Sequence, residues 1–154
     1  ELYRAAPLRV WWHLLGAVAV RRDGLDMRPL RQLLRLLAGG GTVGMFPEGT
    51  RSRGRGLQRP VAGVAYLAAK SGAQILPVGI WGAQTLMLED RVRNGRPRVE
   101  IQVGWPFEFE TRTDRLTSEA LDQMGDSLMR RIALLLPERL RGVYATPKAE
   151  AASG

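Results

Sequence analysis

Short apolar runs alternate along this chain with stretches whose apolar residues recur at helical spacing, and that alternation limits the fold more than any other feature. Residues 2–15 read as a short amphipathic entry, and residues 16–22 (GAVAVRR) as an apolar strand ending in Arg21 and Arg22. A helix is predicted over 27–38, capped by Asp26, with Leu30, Leu33, Leu34 and Leu37 on one stripe and Gly39, Gly40 and Gly41 ending it. Thr42 to Phe46 reads as a short buried strand cut off by Pro47. A polar, glycine-bearing loop follows to Arg59. Val61, Val64, Ala65 and Ala68 then mark a second helix, closed by Gly72.

Ile75 to Trp81 is another apolar strand. A loop carrying Arg91, Arg93, Arg96 and Arg98 leads to Val99 to Val103, a strand with alternating faces. The last strong element is a helix over 118–136 with the face Leu121, Met124, Leu128, Ile132 and Leu135. Glu119 and Asp122 suit its start, Arg130 and Arg131 its end, and Pro137 stops it. Strands alternating with helices predict an α/β fold, a mostly parallel mixed sheet flanked by helices, in one domain over residues 1–144. Residues 145–154 are expected to be a disordered tail.

Composition removes several chemistries. The chain has no cysteine, which excludes disulfides, cysteine zinc sites and cysteine nucleophiles. Its single histidine, His13, excludes a multi-histidine metal site within it. Lysine and arginine number 23 against 15 acidic residues, a net +8, and all but Lys70 and Lys148 are arginine. That charge fits an anionic partner (phosphate, nucleic acid or a membrane surface) without choosing among them, and an arginine-rich codon bias would give it too. No apolar run reaches the roughly 18 residues of a membrane-spanning helix, and no signal peptide is visible.

In open α/β sheets ligands gather at the carboxyl ends of strands. The strand ending at Phe46 is followed there by Pro47-Glu48-Gly49-Thr50-Arg51-Ser52-Arg53. Gly49 permits positive φ and close approach to the backbone. Thr50 and Ser52 offer hydroxyls. Arg51 offers a planar fork that matches two phosphate oxygens. Glu48 is placed to orient that guanidinium or to accept a proton. An ordinary polar turn with solvated arginines has the same composition.

The order Phe46-Pro47-Glu48-Gly49-Thr50-Arg51-Ser52 resembles the phosphate-site block of the glycerolipid acyltransferases of the lysophosphatidic acid acyltransferase type. Gly16-Ala17-Val18-Ala19-Val20-Arg21-Arg22 is similar to that family's upstream block, and Leu76-Pro77-Val78 to its downstream one. Glu1-Leu2-Tyr3 and Arg141-Gly142-Val143-Tyr144 are similar to flanking sequence in bacterial members. The resemblance implies a glycerol-phosphate acyltransferase-like fold. It also implies transfer of a fatty acyl group from acyl-CoA or acyl carrier protein to the free hydroxyl of a lysophospholipid, usually lysophosphatidate. Phosphatidic acid would be the product, within phospholipid synthesis. Arg51 would bind the acceptor phosphate, with Gly49 letting it sit close and Glu48 and Thr50 in the same block. Arg22 would add a second cation, and Pro77 would shape the pocket wall. The implied setting is the membrane surface, on the cytoplasmic face, with no nucleic acid, no metal and no resident cofactor.

In that family a His-x-x-x-x-Asp block supplies the general base. Here His13 is followed five residues on by Val18, and it lies in an aromatic-apolar stretch with Trp11 and Trp12. His13 is therefore read as a packed or interfacial histidine, and no catalytic residue is assigned in this chain. The expectation is an acyltransferase domain lacking its N-terminal catalytic block. The alternative is an inactive domain of the same fold that binds anionic lipid or another polyanion. Two smaller departures leave Arg59 and Arg21 without firm roles: Val61-Ala62 precede Gly63 where many members carry a basic-Pro step, and Arg21 stands where many have aspartate. Trp81 and Trp105 are expected in the core or a pocket wall, and Trp11 and Trp12, beside Arg4 and Arg9, at a bilayer interface.

Overall fold

Among the described residues, three helices and a two-stranded ribbon emerge from this pattern. The structure, a computed structural model, describes residues 27–49, 56–82, 98–109 and 116–145. The predicted entry segment, the strand at 16–22, the Asp26 cap, Thr50 to Arg55, Arg91, Arg93, Arg96 and all of the tail after Ala145 lie outside the described residues. So do His13, Trp11 and Trp12.

Helix α1 is Met27–Ala38. Pro29 falls in its first turn, where the missing N–H has no intrahelical partner to lose. Leu30 and Leu33 are buried, and Leu34 and Leu37 pack against them together with Leu67, Val43 and Met45, as the stripe predicts. The helix closes through paired backbone bonds from Gly40 N–H to Leu37 O, 3.0 Å, and from Gly41 N–H to Leu36 O, 2.9 Å. Gly40 supplies the left-handed residue, φ 78°, that this closure requires.

Helix α2, Ala62–Ser71, ends at Gly72 with φ 59°. It is apolar on two sides. Val64 joins a cluster with Leu57, Leu128, Met129, Ala133 and Leu136, whereas Leu67 joins the α1 cluster, and Met45 touches both. α2 and Met45 thus make the two halves of the core continuous. Val61, read from sequence as a helix residue, is instead the N-cap.

Strand β1, Val78–Trp81, runs antiparallel to β2, Glu100–Val103, with Ile80 opposite Ile101. A further antiparallel bridge joins Ile75 and Phe107, out of step with the ladder by one residue, so the second strand carries a bulge between Val103 and Phe107. Helix α3, Ser118–Leu134, begins where the Thr117 hydroxyl accepts from Ala120 N–H at 3.2 Å. It buries Leu121, Gly125, Leu128, Met129 and Ala133. Leu135 and Leu136 continue as a tightened turn up to Pro137. Two 3-10 turns follow, Glu138–Leu140 and Gly142–Tyr144.

Helices and strands together make an α/β chain, but a parallel mixed sheet is not found: the one ladder among the described residues is antiparallel. Two strand readings and the expectation for Trp105 change as well. Thr42 to Phe46 forms no ladder among the described residues and is not fully buried; only Val43 and Met45 turn inward, and Phe46 is 82% exposed. β2 has no buried face, since Ile101 and Val103 are both exposed. Trp105 is 91% exposed, whereas Trp81 packs against the core as expected. Apolar alternation marks extended chain but does not specify which neighbour covers it. Among the described residues no helix is long and apolar enough to cross a membrane.

Candidate functional site

The segment after Phe46 folds into a tight turn. Gly49 N–H donates to Phe46 O at 3.0 Å, and Gly49 takes φ 62°. A Cβ at this glycine would lie 2.8 Å from Val61 Cγ1. Gly49 is therefore required twice over, by backbone conformation and by the close approach of the α2 cap.

The turn is tied to the far end of its own loop. Val61 N–H donates to Pro47 O at 2.8 Å. Gln58 N–H donates to Glu48 Oε2 at 2.9 Å, and Gln58 Nε2 donates to Gly56 O at 3.0 Å. The loop thus leaves and rejoins the fold at the start of α2. Val61 gives that helix no side-chain cap, so its N-terminal amides and the positive end of its dipole stand beside the loop's base. Arg51, Arg53 and Arg55 stand between these two ends in the sequence and lie outside the described residues.

Glu48 takes a definite position in this arrangement. One carboxylate oxygen closes the loop on Gln58. Its pKa is raised from 4.5, because burial disfavours the charged form by more than the Gln58 N–H favours it.

Glu48 and Gly49 are brought together in one turn. Pro77 is buried elsewhere, in the ribbon, where Pro77 O accepts from Gly104 N–H at 2.9 Å and the ring lies against Gly104. Arg22, Thr50 and Arg51 lie outside the described residues. Arg59 is exposed and lines a small cleft of about 110 Å³ with Pro60, Val61, Leu121, Asp122 and Asp126.

Sequence reasoning missed the partners that hold the loop. Gln58 and Val61 act through backbone N–H groups, which carry no residue signature. The loop's exit is held from the distant C-terminal turns: Leu57 N–H donates to Leu140 O at 3.0 Å and Val143 N–H donates to Leu57 O at 3.1 Å. The only sequence trace of that contact is a glycine on each side, Gly56 and Gly142.

Comparison with known proteins adds the family. The chain matches the family model described as Acyltransferase over residues 2–81, a span that contains the Gly16, Phe46 and Leu76 blocks. It is 29% identical over 142 residues to a 1-acyl-sn-glycerol-3-phosphate acyltransferase of Chlamydomonas reinhardtii, covering 88% of this chain and 40% of that one. A chloroplastic 1-acyl-sn-glycerol-3-phosphate acyltransferase of Arabidopsis thaliana is 30% identical over 130 residues, 79% of this chain and 35% of the relative. The Escherichia coli 1-acyl-sn-glycerol-3-phosphate acyltransferase is 40% identical over 60 residues, 39% of this chain and 24% of its own length. The chain spans 40% or less of the length of these relatives. No solved structure matches it significantly.

Proposed function

We propose that this chain, which belongs to the acyltransferase family, supplies the acceptor-binding part of an enzyme that acylates lysophosphatidate to phosphatidate in phospholipid synthesis. The observation that carries the reading is the block at residues 46–52, whose first four residues form a turn tied at Pro47 to Val61, the cap of α2, and at Glu48 to Gln58. Arg51 grips the acceptor phosphate from the loop that this turn begins, with Thr50 beside it and Arg22 as a second cation. Gly49 keeps the backbone close. Glu48 shapes the loop, and Pro77 contributes to a wall.

The reaction is a direct transfer. A general base takes the proton of the acceptor hydroxyl, the oxygen attacks the thioester carbonyl, and the thiolate of coenzyme A or acyl carrier protein leaves and is protonated. No resident metal or cofactor is called for. This sequence holds no His-x-x-x-x-Asp, so the proposal gives this chain acceptor recognition and assigns it no base. Action at the cytoplasmic face of a membrane suits a lipid acceptor and a basic chain. The net charge of +8 also fits a second reading, an inactive relative that binds anionic lipid.

The test is Arg51→Ala in the full-length protein, followed by thioester-release kinetics. KM for lysophosphatidate is expected to rise about tenfold or more, the scale of a lost charge-assisted contact, with KM for the acyl donor little changed. Equal kinetics for variant and parent would remove Arg51 from the phosphate site. Lysophosphatidate binding without any turnover would favour the inactive relative.

A further inference from the structure

Charge is divided unevenly over the described residues. Residues 27–49 and 56–82 carry Arg28, Arg31, Arg35, Arg59 and Lys70 against one carboxylate, Glu48, which is partly buried on the Gln58 amide. In residues 98–109 and 116–145 the arginines are matched by carboxylates, among them Glu119, Asp122 and Asp126 on α3. The excess is sharpest on α1, which holds no acidic residue. Arg28, Arg31 and Arg35 stand there at i, i+3 and i+7, on the side away from the buried Leu30 and Leu33, and all three are exposed. Arg35 Nε donates to Arg31 O at 3.4 Å, which uses one of the five guanidinium donors. Leu36, beside Arg35, is 49% exposed, so one rim of this face is apolar. Folding does not call for such a face. Like charges at these spacings repel along a helix, and Arg28, in the first turn, opposes the helix dipole.

We infer that the face of α1 formed by Arg28, Arg31 and Arg35 docks the protein on an anionic bilayer. The choice of a bilayer rests on the proposed function, which makes the acceptor and the product phosphate-bearing membrane lipids. Guanidinium groups suit such a surface, because each planar fork pairs with phosphate oxygens. The apolar side of α1 is taken up by the core, against Leu67, Val43 and Met45. The helix therefore lies on the headgroups, held by charge, and does not sink among the acyl chains. Ile101, Val103 and Trp105 of the ribbon are exposed as well. Glu100 is exposed in the same strand, and an anionic surface repels it.

The experiment compares the full-length protein with a variant carrying Arg28→Gln, Arg31→Gln and Arg35→Gln together. Glutamine keeps the helix propensity and removes the charge. Binding is read by sedimentation with vesicles of phosphatidylcholine alone and of phosphatidylcholine mixed with phosphatidylglycerol. Phosphatidylglycerol is anionic but is neither the acceptor nor the product, so capture in the acceptor site does not contribute. The parent is expected to bind the mixed vesicles far more tightly than the neutral ones. Each arginine near such a surface corresponds to about a fivefold change in affinity, so the triple variant should bind about a hundredfold more weakly and Arg31→Gln alone about fivefold. Raised salt should release the parent and change the variant little. Turnover of a short-chain lysophosphatidate dissolved as monomers should stay as in the parent.

A variant that binds the mixed vesicles as the parent does, or a parent that binds both kinds of vesicle equally, would overturn the docking face. Loss of vesicle binding in Trp105→Ala but not in the α1 variant would overturn it too, by moving the bilayer to the ribbon. So would a variant that keeps vesicle binding and loses binding to duplex RNA, since the arginines would then serve another polyanion. Arg51→Ala, run alongside, separates this inference from the acceptor reading. Where it raises the acceptor KM and the α1 variant stays on the vesicles, the docking face alone falls. Where Arg51→Ala matches the parent and the α1 variant leaves the vesicles, the phosphate reading falls and the docking face stands.

Discussion

Gly56 and Gly142 lie back to back: a Cβ built on Gly56 would stand 2.7 Å from both the N and the Cα of Gly142. Each also has positive φ, 73° and 53°. A Cβ on Gly142 would in turn overlap the Leu57 backbone. Neither position has a flexible side chain as its neighbour, so the backbones themselves would have to separate. Gly56→Ala and Gly142→Ala are each expected to destabilise the fold by about 2–4 kcal/mol, combining left-handed strain with overpacking. Urea unfolding measures this. A change under about 0.5 kcal/mol, the ordinary range for surface substitutions, would show that the turns can part at little cost.

A second glycine sets how closely α3 approaches the start of α2. Gly125 is buried in α3, and a Cβ there would lie 2.8 Å from Pro60 Cγ and 3.9 Å from Ala65 Cβ. Two effects oppose each other in Gly125→Ala. Helix propensity favours alanine by about 0.8–1 kcal/mol, and overpacking against a stiff ring costs about 1–3 kcal/mol. The overlap wins, so the variant is expected to be less stable than the parent. Adding Pro60→Ala should return most of the loss. A double variant no more stable than Gly125→Ala would place the cost elsewhere than the ring.

Core and ribbon should respond very differently to truncation. Met129 is 0% exposed and sits where α3 meets Leu57, Val64 and Leu136. Met129→Ala is expected to cost about 2–5 kcal/mol, the range for large-to-small changes in a packed core. Trp105 is larger but 91% exposed, and Trp105→Ala is expected to stay within about 0.5 kcal/mol of the parent. Thermal unfolding of the two variants decides it. A large loss at Trp105 would mean that the indole is covered in solution.

The helices were legible because their signals are local. The stripe of Leu30, Leu33, Leu34 and Leu37, the three glycines after it, Gly72 and Pro137 each act within one or two turns of where they stand. The strand pattern was legible as extended chain and illegible as a sheet, since Ile101 and Val103 alternate correctly yet meet no covering layer among the described residues. The site divides in the same way. Gly49 and its turn followed from the motif. The bonds from Gln58, Val61, Leu140 and Val143 are made by backbone atoms brought together from distant segments, which no spacing rule could reveal.

Glu48 offers a test of the loop closure through pH. Burial raises its pKa in the folded protein above the unfolded value. Between those two values the folded state binds more protons than the unfolded one, so this group makes stability fall as pH rises through the window. Below the unfolded pKa the carboxyl is neutral in both states and its contribution is fully present; above the folded pKa it has been lost. Glu48→Gln keeps a carbonyl oxygen to accept from Gln58 N–H and cannot ionise. The stability of the variant minus that of the parent is therefore expected to increase from pH 4.5 upward and to level off once Glu48 is ionised in the folded parent. Other carboxylates cancel in that difference, so urea unfolding at several pH values isolates this one group. A difference that stays flat with pH would show that the Gln58 bond balances the burial of the carboxylate, and one that shrinks as pH rises would show that it outweighs it.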